Sequence, residues 1–154
     1  AAVALQLRDM LEHIHLQSFA KTSGGKGIHL YVPLNTPVTF PQTKQMAKLI
    51  ATQLQAAYPD RITTNMKKDL RGGKVFIDWS QNDAHKTTCC VYSLRARPLP
   101  TISMPVSWDE IDAASRKKKP HTLSFHAPAA IKRVESQGDL FAHVLNLKQK
   151  LPPL

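Results

Sequence analysis

Residues 21–33 read Lys21-Thr22-Ser23-Gly24-Gly25-Lys26-Gly27-Ile28-His29-Leu30-Tyr31-Val32-Pro33, a glycine-rich loop that runs straight into an extended segment. The glycines let backbone N–H groups turn inward as an anion nest, Ser23 adds a hydroxyl and Lys26 a point charge. From Ile28 the chain alternates through β-formers, and Pro33 ends the strand. A strand follows the loop where a Walker A motif has a helix, and the Gly-x-x-x-x-Gly-Lys-[Ser/Thr] spacing is absent. Taken alone, the segment is most simply a glycine hairpin.

On the N-terminal side, Val3, Leu7, Met10, Leu11 and Ile14 fall at helical spacing, and Gln17 to Ala20 reads as short and extended. No Ser, Thr, Asp or Asn precedes the helix to cap its free N–H groups, and no initiator Met is present. The expectation is that the sequence starts inside or just before a helix, with something missing upstream. On the C-terminal side, Pro41 suits the first turn of a helix through about Tyr58, with the stripe Met46, Leu49, Ile50, Leu54 and Ala57. Arg61 to Thr64 predicts a short edge strand, and the basic turn Lys67 to Lys74 leads into Val75 to Trp79, the strongest strand by composition. Ser107 and Glu110 form the ends of a capping box that opens a helix to about Ser115, and Pro128 opens a last one before Gly138. The order predicts an α+β (α/β) chain with a small mixed sheet flanked by helices.

The chain has 154 residues, suited to one domain, and a 42% hydrophobic fraction that argues against a disordered tail. No apolar run approaches the ~20 residues of a membrane span, and no signal peptide is seen, so a soluble chain is expected. The two cysteines are neighbours, Cys89 and Cys90, which cannot form an ordinary cross-linking staple or complete a zinc site. A reduced, cytosolic chain follows. Lys and Arg total 21 against 11 acids, a net +10, which favours nucleic acid, nucleotides or anionic surfaces as partners.

Beyond the loop, three features could carry chemistry. Asp78 sits at the end of an apolar strand, where a buried charge needs a partner or a metal, although an Asp there more often caps a turn. Arg95 and Arg97 lie on one side of an extended segment and could grip phosphates, with an exposed strand face as the plainer reading. The run Arg116 to Lys119 is assigned to a solvated helix end. Of the seven histidines, His13 and His15 are two apart on a helix and point in different directions, and no metal or nucleophile constellation emerges.

Several segments together resemble one family. Lys21 to Leu34, Arg71-Gly72-Gly73-Lys74-Val75-Phe76-Ile77-Asp78-Trp79-Ser80-Gln81-Asn82, Lys86-Thr87-Thr88, Tyr92-Ser93-Leu94-Arg95-Ala96-Arg97-Pro98, Pro105-Val106-Ser107-Trp108-Asp109-Glu110, Asp139-Leu140-Phe141 and Leu147 to Pro152 are similar, in order and spacing, to the polymerase domain of bacterial ATP-dependent DNA ligase D. The resemblance implies the archaeo-eukaryotic primase fold and a template-directed nucleotidyltransferase that adds nucleotides during repair of double-strand breaks by non-homologous end joining. It implies that Ser23 and Lys26 hold the incoming triphosphate with the Gly24-Gly25 backbone assisting, that His29 is the family histidine after the loop, and that Arg95 reaches the phosphates, with Arg97 beside it. Asp78 matches the third carboxylate of a site for two divalent ions (Mn²⁺ or Mg²⁺), and Arg71 lies on a loop that approaches primer and template DNA. Such chemistry needs carboxylate-held ions with cationic and backbone donors on the phosphates. The implied partners are DNA ends with primer and template, NTP or dNTP, a Ku-type end-binding protein and a fused ligase domain, with no membrane. The implied location is the bacterial cytoplasm, at the nucleoid.

The sequence departs from the family in two places. The Asp-x-Asp pair that supplies the first two metal carboxylates is absent upstream of Ser23, where Asp9 is the first acid. Residues 1–154 are therefore expected to be the larger, C-terminal part of one primase-polymerase domain, its N-terminal part missing, and inactive alone. Cys89-Cys90-Val91 also stands where the family has small apolar residues and a proline. The alternative is a non-catalytic DNA- or nucleotide-binding module of the same fold, separated from the enzyme by its indifference to metal. A distant third reading, a small RNA-binding domain with an RRM-like sheet, is set aside because the sequence lacks the aromatic pair on adjacent strands that such a domain uses. On either main reading Lys21, Lys26, Arg71, Arg95 and Arg97 give the net charge its address.

Overall fold

The computed structural model describes residues 1–153. They group into two compact units, one made of Ala1–Asn35 with Cys89–Gln149, the other of Thr36–Thr88 with the residues from Lys150 onward. The chain is α+β, with four α-helices and seven short strands among the described residues. Where the sequence predicts one small mixed sheet, the strands form three small sheets, of three, two and two strands.

The first unit opens with helix α1 (Ala2–His13), which buries Val3, Ala4 and Leu11 and has no side-chain cap at Ala1. His15 is not on this helix as expected; it lies in the turn beyond it at φ 60. Strand β1 (Phe19–Thr22) pairs antiparallel with β2 (Ile28–Tyr31) in the register Lys21↔His29, and the glycine loop is their connection. Successive side chains alternate between sheet faces, so Phe19, Lys21, His29 and Tyr31 share one face and Ala20, Thr22, Ile28 and Leu30 the other. The second face carries the core, where Ala4, Ala20, Val106 and Ile111 are buried together and Ile28, Leu30 and Trp108 pack around them. Ile111 is 0% exposed, a burial worth about 2 kcal/mol. On the first face, Phe141 meets Phe19 and Tyr31 edge-on at centroid distances of 6.3 and 5.3 Å.

The proline-rich stretch after Arg97 holds strands that sequence pattern does not reveal. Strand β5 (Leu94–Arg95) pairs antiparallel with β6 (Thr101–Ile102). After β6 and the buried pair Ser103 and Met104, β7 (Pro105–Val106) joins the other edge of β1 through Ala20↔Val106 and Lys21↔Pro105. Helix α3 (Trp108–Arg116) begins at the expected capping box: Glu110 N–H donates to Ser107 Oγ at 3.2 Å and Ser107 N–H to Glu110 Oε2 at 2.8 Å. Helix α4 (Ala127–Gln137) carries Pro128 in its first turn and stops at Gly138, whose φ is 71.

The second unit is built on helix α2 (Phe40–Ala57), whose N-cap Thr39 and Gln42 form a second capping box. Met46, Ile50, Ala51 and Leu54 are its buried stripe. Leu49, expected in that stripe, is 43% exposed, and Ala51 at 0% takes its place. Strand β3 (Ile62–Thr63) pairs in parallel with β4 (Val75–Phe76). The strand expected to run to Trp79 stops early because β3 is two residues long: Ile77 N–H still donates to Thr63 O at 3.0 Å, and the chain then turns into a 3₁₀ helix over Trp79–Gln81.

Candidate nucleotide-binding and catalytic residues

In the first unit, Ser23 N–H donates to Gly27 O at 2.9 Å and closes the loop on itself. Ser23 Oγ accepts from Gly25 N–H and Gly27 N–H, each at 3.1 Å. Both hydroxyl lone pairs are thereby taken, which leaves the Ser23 O–H as a donor for an acceptor outside the loop. Gly24 has φ +67, a conformation that costs a residue with a β-carbon about 1–2 kcal/mol. Its carbonyl accepts from the Thr101 hydroxyl on β6.

The loop and the two arginines lie together. A β-carbon on Gly24 would stand 2.4 Å from Arg95 Cγ, and one on Gly25 would stand 2.8 Å from Arg97 Nη2. At Gly24, where backbone atoms crowd the site as well, only glycine permits this approach; at Gly25 the neighbour is the tip of the flexible Arg97 side chain. Gly25, Lys26, Arg95 and Arg97 are exposed, so three cationic side chains and the Ser23 hydroxyl flank one loop with solvent access. His29 is half-buried on β2. An anion such as a polyphosphate matches this donor-only arrangement.

Lys21, counted among the cations meeting ligand, points inward and is 0% exposed. Its ammonium donates to Cys89 O at 2.6 Å and Ser103 Oγ at 2.5 Å and lies 5.8 Å from the Tyr31 ring centroid. Burial lowers its pKa against the opposing pull of Cys89 and Cys90. The Cys89 thiol is pushed up by burial, but hydrogen bonds with Arg95, Ser103 and Ser93 outweigh this and leave it below the ordinary thiol value. Both cysteines are free.

Thr101 and Ser103, which the sequence does not single out, support the loop, and so does Cys89, through its backbone carbonyl. Ser103 Oγ donates to Thr22 O at 2.9 Å, and Thr22 and Met104 exchange backbone and hydroxyl bonds. Their partners lie 68 to 82 residues away, beyond the reach of any local pattern. Only the alternation that sets Lys21 on the face of His29 and Tyr31 hinted at it.

Asp78 and Arg71 belong to the second unit. Asp78 is exposed, contrary to the expectation of a buried charge, because the strand ends before it and the residue stands at the N-cap of the 3₁₀ helix. Its Oδ1 accepts from Ser80 Oγ at 2.7 Å, and Lys86 Nζ donates to Ser80 Oγ at 2.5 Å. Arg71 lies with its guanidinium carbon 3.7 Å from the centroid of the Phe76 ring and donates to Met66 O at 2.8 Å and Asn65 O at 3.3 Å. Among the described residues no three His, Cys, Asp or Glu side chains gather as a metal site. The described residues therefore do not by themselves fit a pair of divalent ions, and Asp78 supplies one open carboxylate.

An α+β fold with a glycine loop crossed by two arginines is the class that fold and site define. The family model described as "LigD, primase-polymerase domain" matches residues 1–141, and the chain belongs to that family. It is 44% identical over 140 residues to the multifunctional non-homologous end joining DNA repair protein LigD of Mycobacterium tuberculosis, covering 91% of this chain and 18% of that protein. The bifunctional non-homologous end joining protein LigD of Bacillus subtilis is 32% identical over 136 residues, or 88% of this chain and 21% of that protein. A solved structure, the polymerase domain from Mycobacterium tuberculosis ligase D in complex with DNA, superposes with a TM-score of 0.85 at 41% identity, over 93% of this chain and 48% of that one. The chain thus spans about a fifth of the length of the curated relatives it matches. No helix among the described residues is long and apolar enough to cross a membrane.

Proposed function

We propose that this chain supplies the triphosphate-binding part of a primase-polymerase that adds nucleotides to DNA ends during non-homologous end joining. The observation that carries this reading is the approach of Arg95 and Arg97 to the Gly24-Gly25 backbone, in a chain of the LigD primase-polymerase family. Lys26, Arg95 and Arg97 neutralise the triphosphate, the Ser23 O–H donates to it, and Gly24 and Gly25 bring backbone close to it. His29, two residues beyond Gly27 on β2, is a further nucleotide contact. Fixed donors around a phosphoryl group stabilise spreading charge without reorganising.

Asp78 is the one carboxylate we assign to the catalytic ions, on the strength of the Val75-Phe76-Ile77-Asp78-Trp79-Ser80 motif and its exposure. Divalent ions such as Mn²⁺ or Mg²⁺, when bound, shield phosphate charge and acidify an attacking hydroxyl. The described residues do not complete such a site on their own. Residues 1–154 are read as part of a single primase-polymerase domain, in keeping with the 48% of the solved domain that they match. Arg71 is assigned to DNA. The same reading carries primer-template DNA, NTP or dNTP, a Ku-type end-binding protein and a ligase domain as partners, and a bacterial cytoplasmic location; the names of the relatives support its end-joining part.

The test is template-directed primer extension by the naturally expressed protein, with Mn²⁺ or Mg²⁺ and a DNA end whose 3′ primer terminus is recessed on a longer template strand. Extension by complementary nucleotides is expected, with nucleotide KM raised at least tenfold by Arg95→Ala. Absence of extension, or a KM that Arg95→Ala leaves unchanged, overturns the reading.

A further inference from the structure

Lys21 is the most enclosed cation of the chain, 0% exposed, and nothing in the proposed chemistry uses it. A buried ammonium is costly unless every proton is met. Here it meets two acceptors from distant segments, Cys89 O at 2.6 Å and Ser103 Oγ at 2.5 Å, and the Tyr31 ring at 5.8 Å. Both acceptors bear on Arg95. Cys89 begins the Cys89–Ser93 segment that leads directly into β5, where Arg95 sits. Ser103 N–H donates to Ser93 O at 2.9 Å and Ser103 O accepts from Tyr92 N–H at 2.7 Å, so Ser103 holds the same segment from its other side. Lys21 itself lies two residues before Ser23, on the strand that carries the loop.

We propose that Lys21 is a positioning residue for the triphosphate site, its ammonium clamping the Cys89–Ser93 segment to the loop strand so that Arg95 stays across Gly24. This rests on the reading of Ser23 to Lys26 and Arg95 as a triphosphate cradle. The clamp acts through backbone geometry: its contact with the segment is the Cys89 carbonyl, so it works whatever side chain stands at 89. An uncharged side chain at 21 leaves Cys89 O and Ser103 Oγ without their donor and removes the direct tie between Cys89 and β1, while the backbone bonds of Ser103 to Tyr92 and Ser93 remain. Arg95 then loses its fixed approach, and with it the preorganised charge facing the phosphates.

The experiment is a double-mutant cycle on ATP and AMP affinity in the naturally expressed protein, with Lys21→Met, Arg95→Ala and the pair. Lys21→Met is expected to weaken ATP about tenfold and AMP less than twofold, a selectivity that general loosening does not produce. In the Arg95→Ala background, Lys21→Met is expected to weaken ATP less than twofold, because the group through which it acts is gone. Equal losses for ATP and AMP, or additive losses in the pair, overturn the proposal in favour of a merely structural lysine. Should Lys21→Met not fold, Ser103→Ala takes its place in the cycle: about threefold weaker ATP binding, absent in the Arg95→Ala background, supports the clamp, and an unchanged or additive effect overturns it. Lys26→Ala separates the two readings. If it weakens ATP while the cycle shows no coupling, only the clamp fails; if it leaves ATP unchanged, the cradle itself fails.

Discussion

Arg95 lies across Gly24 so closely that a β-carbon at residue 24 would stand 2.4 Å from Arg95 Cγ and 3.2 Å from both Ile102 C and Ser103 N. The two backbone atoms cannot swing away as a side chain can. With φ at +67, Gly24→Ala is therefore both strained and crowded, and is expected to cost about 1–3 kcal/mol of stability and at least tenfold in ATP affinity. Gly27→Ala is the control, since its β-carbon would meet Ser23 Oγ at 3.4 Å in ordinary contact. Thermal melts and ATP titrations of both variants check the pair; a stable, ATP-binding Gly24→Ala would remove the reason for glycine here.

Glu110 caps α3 through Ser107 and is gripped by the Arg133 guanidinium through both carboxylate oxygens. Burial raises the Glu110 pKa, but the Arg133 hydrogen bond, the Ser107 N–H and the charge of Arg133 outweigh it and leave it below the ordinary glutamate value. A carboxyl lowered on folding stabilises above its unfolded pKa, and that contribution is lost as pH falls through the folded value. Arg133→Met is expected to cost about 1.5–3 kcal/mol at neutral pH and to flatten the loss of stability below the usual glutamate range. Urea melts of both proteins at neutral and acid pH measure it, and parallel pH profiles would speak against the pair.

Asp78 is exposed and hydrogen-bonded only locally, through Ser80, so its role can be separated from the fold. Asp78→Asn is expected to shift stability by less than about 0.5 kcal/mol and to abolish metal-dependent primer extension. Salt-dependent DNA binding persists in that variant. Extension that survives Asp78→Asn would exclude this carboxylate from the metal site.

Arg71 is held over Phe76 and by two carbonyls, yet remains half-exposed. If its guanidinium also meets a DNA phosphate, Arg71→Ala lowers affinity on every sequence and reduces the slope of log K against log salt by about 0.9. Fluorescence anisotropy across a salt series gives the slope directly. An unchanged slope with weaker binding would assign Arg71 to the shape of the turn alone.

What could be read in the sequence was what local patterns control. The Ser107–Glu110 box, Pro41 and Pro128 in first turns, and the loop into β2 all depend on residues within four positions of one another. Thr39 and Gln42 carry the same box signature. What stayed hidden depended on pairing across the chain. β4 stops at Phe76 because β3 is short, so Asp78 emerges at the surface, although its hydrophobic neighbours spelt a buried strand. β6 and β7 hide in a proline-rich stretch that reads as loop until β1 and β5 supply partners. Lys21 looked like a surface cation because its acceptors lie 68 and 82 residues on.

Trp79 follows Asp78 directly and carries the Lys48 ammonium 5.2 Å from its ring centroid. Adjacent α-carbons are about 3.8 Å apart, so an ion held by the Asp78 carboxylate lies within about 15 Å of an indole. The chain thereby contains its own optical gauge. If Asp78 holds an ion, paramagnetic Mn²⁺ is expected to quench the Trp79 share of the emission and diamagnetic Mg²⁺ is not, so the occupancy of this carboxylate is followed by light, before any nucleotide is added and without a catalytic turnover.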